Sequence, residues 1–219
     1  MGFLRGEETS TGPDELARLV RVAGVRDRRV LKAVADVPRA DFVAADSVDR
    51  AYVDEPLPIP HGQVTTQPSL VARMLEAIEL EGTERVLEVG TGYGFQTALL
   101  ARLAGEVVSI ERFADVAETA RQNLERHGAR NVEVLVGDGS AGAPERAPFD
   151  AIVVSAAFTS VPQPLADQLA VGGRLVQPVG PGGQDLVVLF ERSEEGLERK
   201  ADVTWAHFVK LYGSHGFRP

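Results

Sequence analysis

From residue 68 onward the apolar positions switch repeatedly between two periods. Leu70, Val71, Met74, Leu75 and Ile78 recur every three or four residues and predict an amphipathic helix starting at Pro68. The run RVLEVG that follows reads as a buried strand, and Leu99, Leu100 and Leu103 mark the next helix. VVSIE predicts a second strand and residues 114–126 a third helix. VEVLVG and AIVVSA predict two more strands, with a helix near 162–170 after the second. RLVQPVG, DLVVLFER and a last segment around VTWAHFVKLYG predict a β-rich end. Strands alternating with helices imply an α/β fold, a doubly wound and mainly parallel sheet covered on both faces. The Gly182-Gly183 turn between two β-rich runs predicts an antiparallel C-terminal hairpin.

The front of the chain follows another pattern. A polar lead over residues 1–12 ends in Thr11-Gly12-Pro13-Asp14, a helix start with Pro near the first turn. Leu16, Leu19 and Val20 form one apolar stripe, and Val30, Leu31, Val34 and Val37 a second. Pro38, Pro56, Pro58 and Pro60 exclude a long helix over 38–60. The expected organisation is an N-terminal helical appendage with a polar stretch, residues 1–66, leading into one compact Rossmann-like unit, residues 67–219.

Composition narrows the chemistry. With 219 residues, 44% hydrophobic and 25% charged, the chain has material for a full core. No apolar run approaches the roughly 18 residues needed to span a membrane, and the N-terminus matches neither a signal peptide nor a myristoylation site. The absence of cysteine removes thiolate nucleophiles and thiolate metal sites. The four histidines lack ligand spacing, so no metal is expected. A net charge of −9 with scattered Lys and Arg argues against nucleic acid. These features predict a cytoplasmic monomer acting away from membranes.

The informative run is VLEVGTGYGFQTA. Gly90, Gly92 and Gly94 follow a strand and precede a helix, where a backbone turns sharply and approaches a ligand. A βα turn using glycine only for geometry would look similar. The spacing, however, is GxGxG, not the dinucleotide GxGxxG, because position 95 is Phe95. Glu88 lies inside the strand, Glu111 closes the next strand, and Asp138 sits within Gly137-Asp138-Gly139. All three acids fall at strand C-termini, the ligand-binding edge of open α/β sheets. Carboxylates around one crevice suit a ligand that is not anionic there. S-adenosylmethionine, with an amino group, a sulfonium and no phosphate, meets that requirement better than NAD or FAD, and a Rossmann dehydrogenase is the weaker reading. Thr91 in the loop and Arg112 beside Glu111 belong to the expected cofactor set.

Several segments together resemble the protein-L-isoaspartate O-methyltransferase family. VPRADFV with AYVDEPLPI resembles its N-terminal stretch, and HGQVTTQP resembles its G-Q-T-I-S-x-P motif. VLEVGTGYGFQTALLA, SIERF, NVEVLVGDG, APFDAIVVSAA, GGRLVQPVG and HFVKLYG occur in the family's order. The resemblance implies a class I, S-adenosylmethionine-dependent repair enzyme whose partners are isoaspartyl-containing proteins and peptides. Anchoring on Pro68 places Thr66 at the family's active-site serine, with Val64 at its threonine and Thr65 at its isoleucine. The resemblance also puts Glu88 near the methionine amino end, Glu111 at the ribose, and Asp138 with Gly139 at the adenine. Thr65, Gln67, Pro68, Val71, Val209 and Tyr212 are its implied substrate contacts, and Lys210 stands where the family usually has proline. Thr65 and Thr66 could instead cap the helix at Pro68, and Val209 and Tyr212 could be edge-strand packing. Two other functions stay open at this level. One is carboxyl methylation of ordinary aspartate in a dedicated peptide; the other is a non-catalytic S-adenosylmethionine-binding module.

Overall fold

A computed structural model describes residues 12–218; most of the polar lead lies outside them. Helix α1 (Pro13–Val22) opens with proline in its first turn and buries Leu16 and Val20. Helix α2 (Arg28–Asp36) is capped by Asp27, whose carboxylate accepts from Arg29 N at 2.7 Å and Val30 N at 3.2 Å. After two 3₁₀ turns the chain forms a small antiparallel hairpin, β1 (Leu57–Ile59) with β2 (Gln63–Thr65). Proline content and polar residues hide this hairpin from pattern reading. Helix α3 (Pro68–Ala77) follows, burying Leu70, Val71, Met74 and Leu75.

The main unit then runs β3 (Arg85–Val89), α4 (Phe95–Leu103), β4 (Glu106–Glu111), α5 (Ala114–Arg126), β5 (Val132–Val136) and β6 (Phe149–Val154). It ends with α6 (Gln163–Gln168), β7 (Leu169–Val179), β8 (Asp185–Ser193) and β9 (Gly196–Ala206). The sheet order is β5-β4-β3-β6-β7-β8-β9, parallel through β7 and antiparallel for the last two pairs. Strand order reverses between β3 and β6, so a crevice opens at their C-terminal ends.

Alternation along the strands divides the core. Val86, Val107, Ala151 and Val153 pack with α1 to α4 on one face. Leu87, Val108, Ile152 and Val154 pack with Leu165 of α6 on the other. The N-terminal helices thus share one buried cluster with α3 and α4.

The helix expected near 162–170 is α6, which ends at Gln168 where β7 begins at Leu169. One expectation is corrected. The last strand is the polar GLERKADVTWA; Phe208 to Gly213 lies outside it and instead crosses the β6 end, where Ala157 N donates to Val209 O and Leu211 N to Ala157 O, both at 2.8 Å. An edge strand faces solvent and carries charge, which erases its apolar signature. Among the described residues no helix is long and apolar enough to cross a membrane.

Candidate active site

The chain leaves β3 through Gly90, Gly92 and Gly94, with φ of +98°, +55° and +95°. Side chains rarely adopt such left-handed values. A Cβ on Gly94 would also press on Leu124 Cγ at 3.3 Å. This loop starts α4 at the sheet's C-terminal edge, where the helix N-terminus brings partial positive charge.

Parallel register sets Glu88 beside Ser109. Glu88 is 0% exposed, and its carboxylate accepts from Ser109 Oγ and Thr97 Oγ1 at 2.5 Å and from Gln96 Nε2 at 2.9 Å. Burial pushes the Glu88 carboxyl up to about 7 despite these hydrogen bonds, and the neighbouring Glu111 charge adds to the rise. Gln96 Nε2 also donates to Ser155 Oγ at 2.9 Å, while Gln96 Oε1 is buried without a partner. The opposite amide orientation would set an oxygen against the Glu88 carboxylate, so this one is favoured.

Glu111 accepts from Gly92 N at 2.9 Å through Oε2, and from Arg112 N at 2.8 Å and Phe113 N at 3.1 Å through Oε1. Of the roughly four acceptor positions on a carboxylate, one on Oε2 stays open. Asp138 differs. Its oxygens take Ser140 N and Oγ at 2.9 and 2.6 Å, and Ser214 N and Oγ both at 2.7 Å. Partial burial would raise its pKa, but these hydrogen bonds prevail and hold it down at about 2.

The crevice and its mouth hold about 940 Å³ of empty space. Its walls include Gly90, Thr91, Gly92, Glu111, Arg112, Gly139, Val71, Val209 and Tyr212, together with Thr65 and Thr66 of the hairpin end. The Arg112 guanidinium lies between two rings, 5.6 Å from Phe113 and 5.3 Å from Tyr212, which joins the C-terminal segment to the β4 end. A second, open groove carries Gln67, Arg73 and the exposed Trp205, and shares Val64, Thr66, Ser155 and Val209 with the crevice. Thr66 therefore stands on the wall between the two. Neither threonine caps α3; its Ser69 N donates instead to Asp54 Oδ1 at 2.8 Å.

These residues fit S-adenosylmethionine chemically. A buried, unpartnered amide oxygen at Gln96 suits an ammonium donor. Gly139 lines the crevice while packed against Val89, whose Cγ1 would lie 2.4 Å from a Cβ at this position. The open acceptor on Glu111 suits a ribose hydroxyl.

Comparison with known proteins gives the family. The model for protein-L-isoaspartate(D-aspartate) O-methyltransferase matches residues 13–216. The chain belongs to this family. It is 50% identical over 200 residues to the protein-L-isoaspartate O-methyltransferase of Methanoculleus marisnigri, covering 91% of this chain and 90% of that one. To the protein of that name from Anaeromyxobacter dehalogenans strain 2CP-1 it is 53% identical over 199 residues, covering 90% and 95%. A solved protein-L-isoaspartate O-methyltransferase superposes with TM-score 0.81 at 30% identity, covering 93% of this chain and 67% of the other.

Within this family member the residues expected from the motifs divide between the crevice wall, the outer groove and the core. Glu88 does not line the crevice; it is buried behind Gln96, which does. The Asp138 carboxylate is filled by Ser140 and Ser214, so Gly139, not Asp138, faces the crevice. Gln67 lines the outer groove, bonded to Asp54 Oδ2 at 3.0 Å, and Pro68 is buried at the start of α3. Sequence reading missed Gln96, Ser155, Phe113 and Arg39. Gln96 and Arg39 do leave a trace, as polar residues set among apolar ones in GFQTALLA and VPRADFV.

Proposed function

We propose that this protein is an S-adenosylmethionine-dependent carboxyl methyltransferase that methylates L-isoaspartyl residues in damaged proteins and peptides. Family membership supports the activity. The observation that carries the reading is Thr66, which lines both the cofactor-type crevice and the open groove beside it. The acceptor is a polypeptide and not a nucleic acid, in keeping with the net charge of −9. The protein works as a cytoplasmic monomer, away from membranes.

S-adenosylmethionine, when bound, supplies an electrophilic methyl on a sulfonium. Gln96 Oε1 would accept from its amino group, Glu111 from its ribose, and Gly139 would flank its adenine. An isoaspartyl α-carboxylate is already ionised at neutral pH, so no general base is needed. The protein's task is alignment and exclusion of water, which account for most of the acceleration in such a transfer. Thr66 Oγ1 orients one carboxylate oxygen by donating a hydrogen bond, and Val209 and Tyr212 close the crevice from the C-terminal side. Threonine can make this bond in place of serine, with a methyl that stiffens χ1. The ester then leaves the site, and attack of the adjacent backbone amide nitrogen on its carbonyl expels methanol and closes a succinimide without further help from the enzyme.

Methyl transfer from labelled S-adenosylmethionine to a matched pair of peptides, one isoaspartyl and one aspartyl, tests the reading. Labelling of the isoaspartyl peptide alone is expected. Equal labelling of both, or of neither while calorimetry shows cofactor binding, overturns it.

A further inference from the structure

Arg39 is 0% exposed, yet its acceptors are four carbonyl oxygens and one hydroxyl, with no carboxylate among them. Nη1 donates to Ala51 O at 3.1 Å and Val53 O at 3.0 Å. Nη2 donates to Glu55 O at 2.8 Å, Thr65 Oγ1 at 3.0 Å and Thr66 O at 3.4 Å, while Nε has no partner. Burial pulls its pKa down to about 10, with Asp54 and Glu55 opposing the fall, so it stays a cation at neutral pH. A buried charge with no carboxylate in hydrogen-bond contact is costly, and a group left in that state invites a functional explanation.

The acceptors identify what the charge holds. Three belong to the 51–55 turn and two to the consecutive threonines at the end of β2. Without the guanidinium, that end is fixed only by a hairpin of three-residue strands and the start of α3. Thr65 Oγ1 accepts a second bond, from Leu57 N at 3.3 Å, so its side chain is pinned from two sides. Val64 and Thr66, the neighbours of Thr65 in the chain, line both the outer groove and the crevice.

We propose that Arg39 is a positioning residue for methyl transfer, fixing through Thr65 Oγ1 and the Thr66 carbonyl the backbone from which the Thr66 hydroxyl reaches the acceptor. The inference rests on the role given to Thr66 above. A displacement of about 1 Å in an aligned reaction can cost roughly 10²-fold, so a loosened strand end lowers turnover without emptying the cofactor site. The position taken by isoleucine in the family motif is Thr65 here, and this supplies the guanidinium with an acceptor that an apolar side chain would not.

A double-mutant cycle tests it, using purified full-length protein, an isoaspartyl peptide and calorimetry with S-adenosylmethionine. Arg39→Lys keeps the charge but removes the planar fork. It is expected to lower kcat about tenfold, leave cofactor affinity within about threefold, and lose most of its effect in a Thr66→Ala background. Thr65→Val, which removes one acceptor and leaves the guanidinium in place, serves should Arg39→Lys fail to fold; a few-fold loss of kcat that vanishes beside Thr66→Ala is expected. Equal penalties in both backgrounds, or a parallel loss of cofactor affinity, overturn the positioning role alone. Full turnover in Thr66→Ala overturns it together with the reading of Thr66.

Discussion

Glu88→Gln should change how stability depends on pH, by an amount the structure fixes. In the native state the Glu88 carboxyl is fully buried and pushed up to about 7 from its usual 4.5, burial outweighing the hydrogen bonds from Ser109, Thr97 and Gln96. A folded pKa above the unfolded one means that the native state binds the extra proton between these values. Stability from this group is therefore complete below pH 4.5, falls as pH rises through 7, and is flat well above it. The gap corresponds to about 3 kcal/mol. Glutamine has nearly the same shape and cannot titrate. Its oxygen can still accept from Gln96, and the Thr97 and Ser109 hydroxyls can turn to accept from its amide. Urea unfolding of both proteins from pH 4.5 to 8 gives the difference, in which every other titrating group cancels. Wild type should lose about 3 kcal/mol relative to the variant between pH 4.5 and 8, most of it by pH 7. A difference that stays level throughout would refute the reasoning, because Glu88 would then be ionised in the core without cost.

Other substitutions probe the remaining parts. Thr66→Ala removes one hydrogen bond to an ionised carboxylate, about 1.5–3 kcal/mol, and should slow kcat/KM roughly 10- to 150-fold; unchanged kcat/KM would remove Thr66 from the site. Gly139→Ala drives a methyl against Val89 Cγ1, so overpacking of about 1–3 kcal/mol and weaker cofactor binding by calorimetry are expected, and wild-type affinity would count against an adenine contact there. Asp138 is held down at about 2, so its contribution is complete above 3.8 and lost as pH falls through 2. Asp138→Asn leaves some of the Ser140 and Ser214 donors without an acceptor and should speed hydrogen exchange at the Ser214 amide; undiminished protection there would show that Asp138 does not clamp the C-terminal segment.

The central strands were legible because they are covered on both faces and read as continuous apolar runs; α5 occupies the predicted 114–126 span. Strand β9 and the β1–β2 hairpin were not legible, since both expose polar residues and β1 contains Pro58. In the site, the glycines announce themselves because left-handed backbone demands that residue type, and Glu111 because it closes a strand next to the switch point. What Glu88 does was not readable from its position in the chain. Its partners come from the register with Ser109 and from the buried side of α4, where it accepts from Gln96 and Thr97. Arg39 lies 26 residues from the threonine it holds, a pairing that no local pattern encodes.

The charges of the crevice and the geometry of its threonines should therefore appear in different kinetic constants. Glu111 lies on the α4 side, where a cationic cofactor would bind, whereas Arg39 lies behind the threonines that would meet an anionic acceptor. Phe95, the first residue of α4, lines the crevice with its ring 5.8 Å from the Arg39 guanidinium. Transfer joins an anion to a cation, so the transition state carries less separated charge than the bound reactants. Fixed charges of opposite sign then favour the ground-state complex at least as much as the transition state, and strengthen binding without raising the rate of the step. Removing the Glu111 charge should act on cofactor affinity. Arg39→Lys, which keeps its charge and loses only its fork, should act on kcat, because what it disturbs is the line of approach.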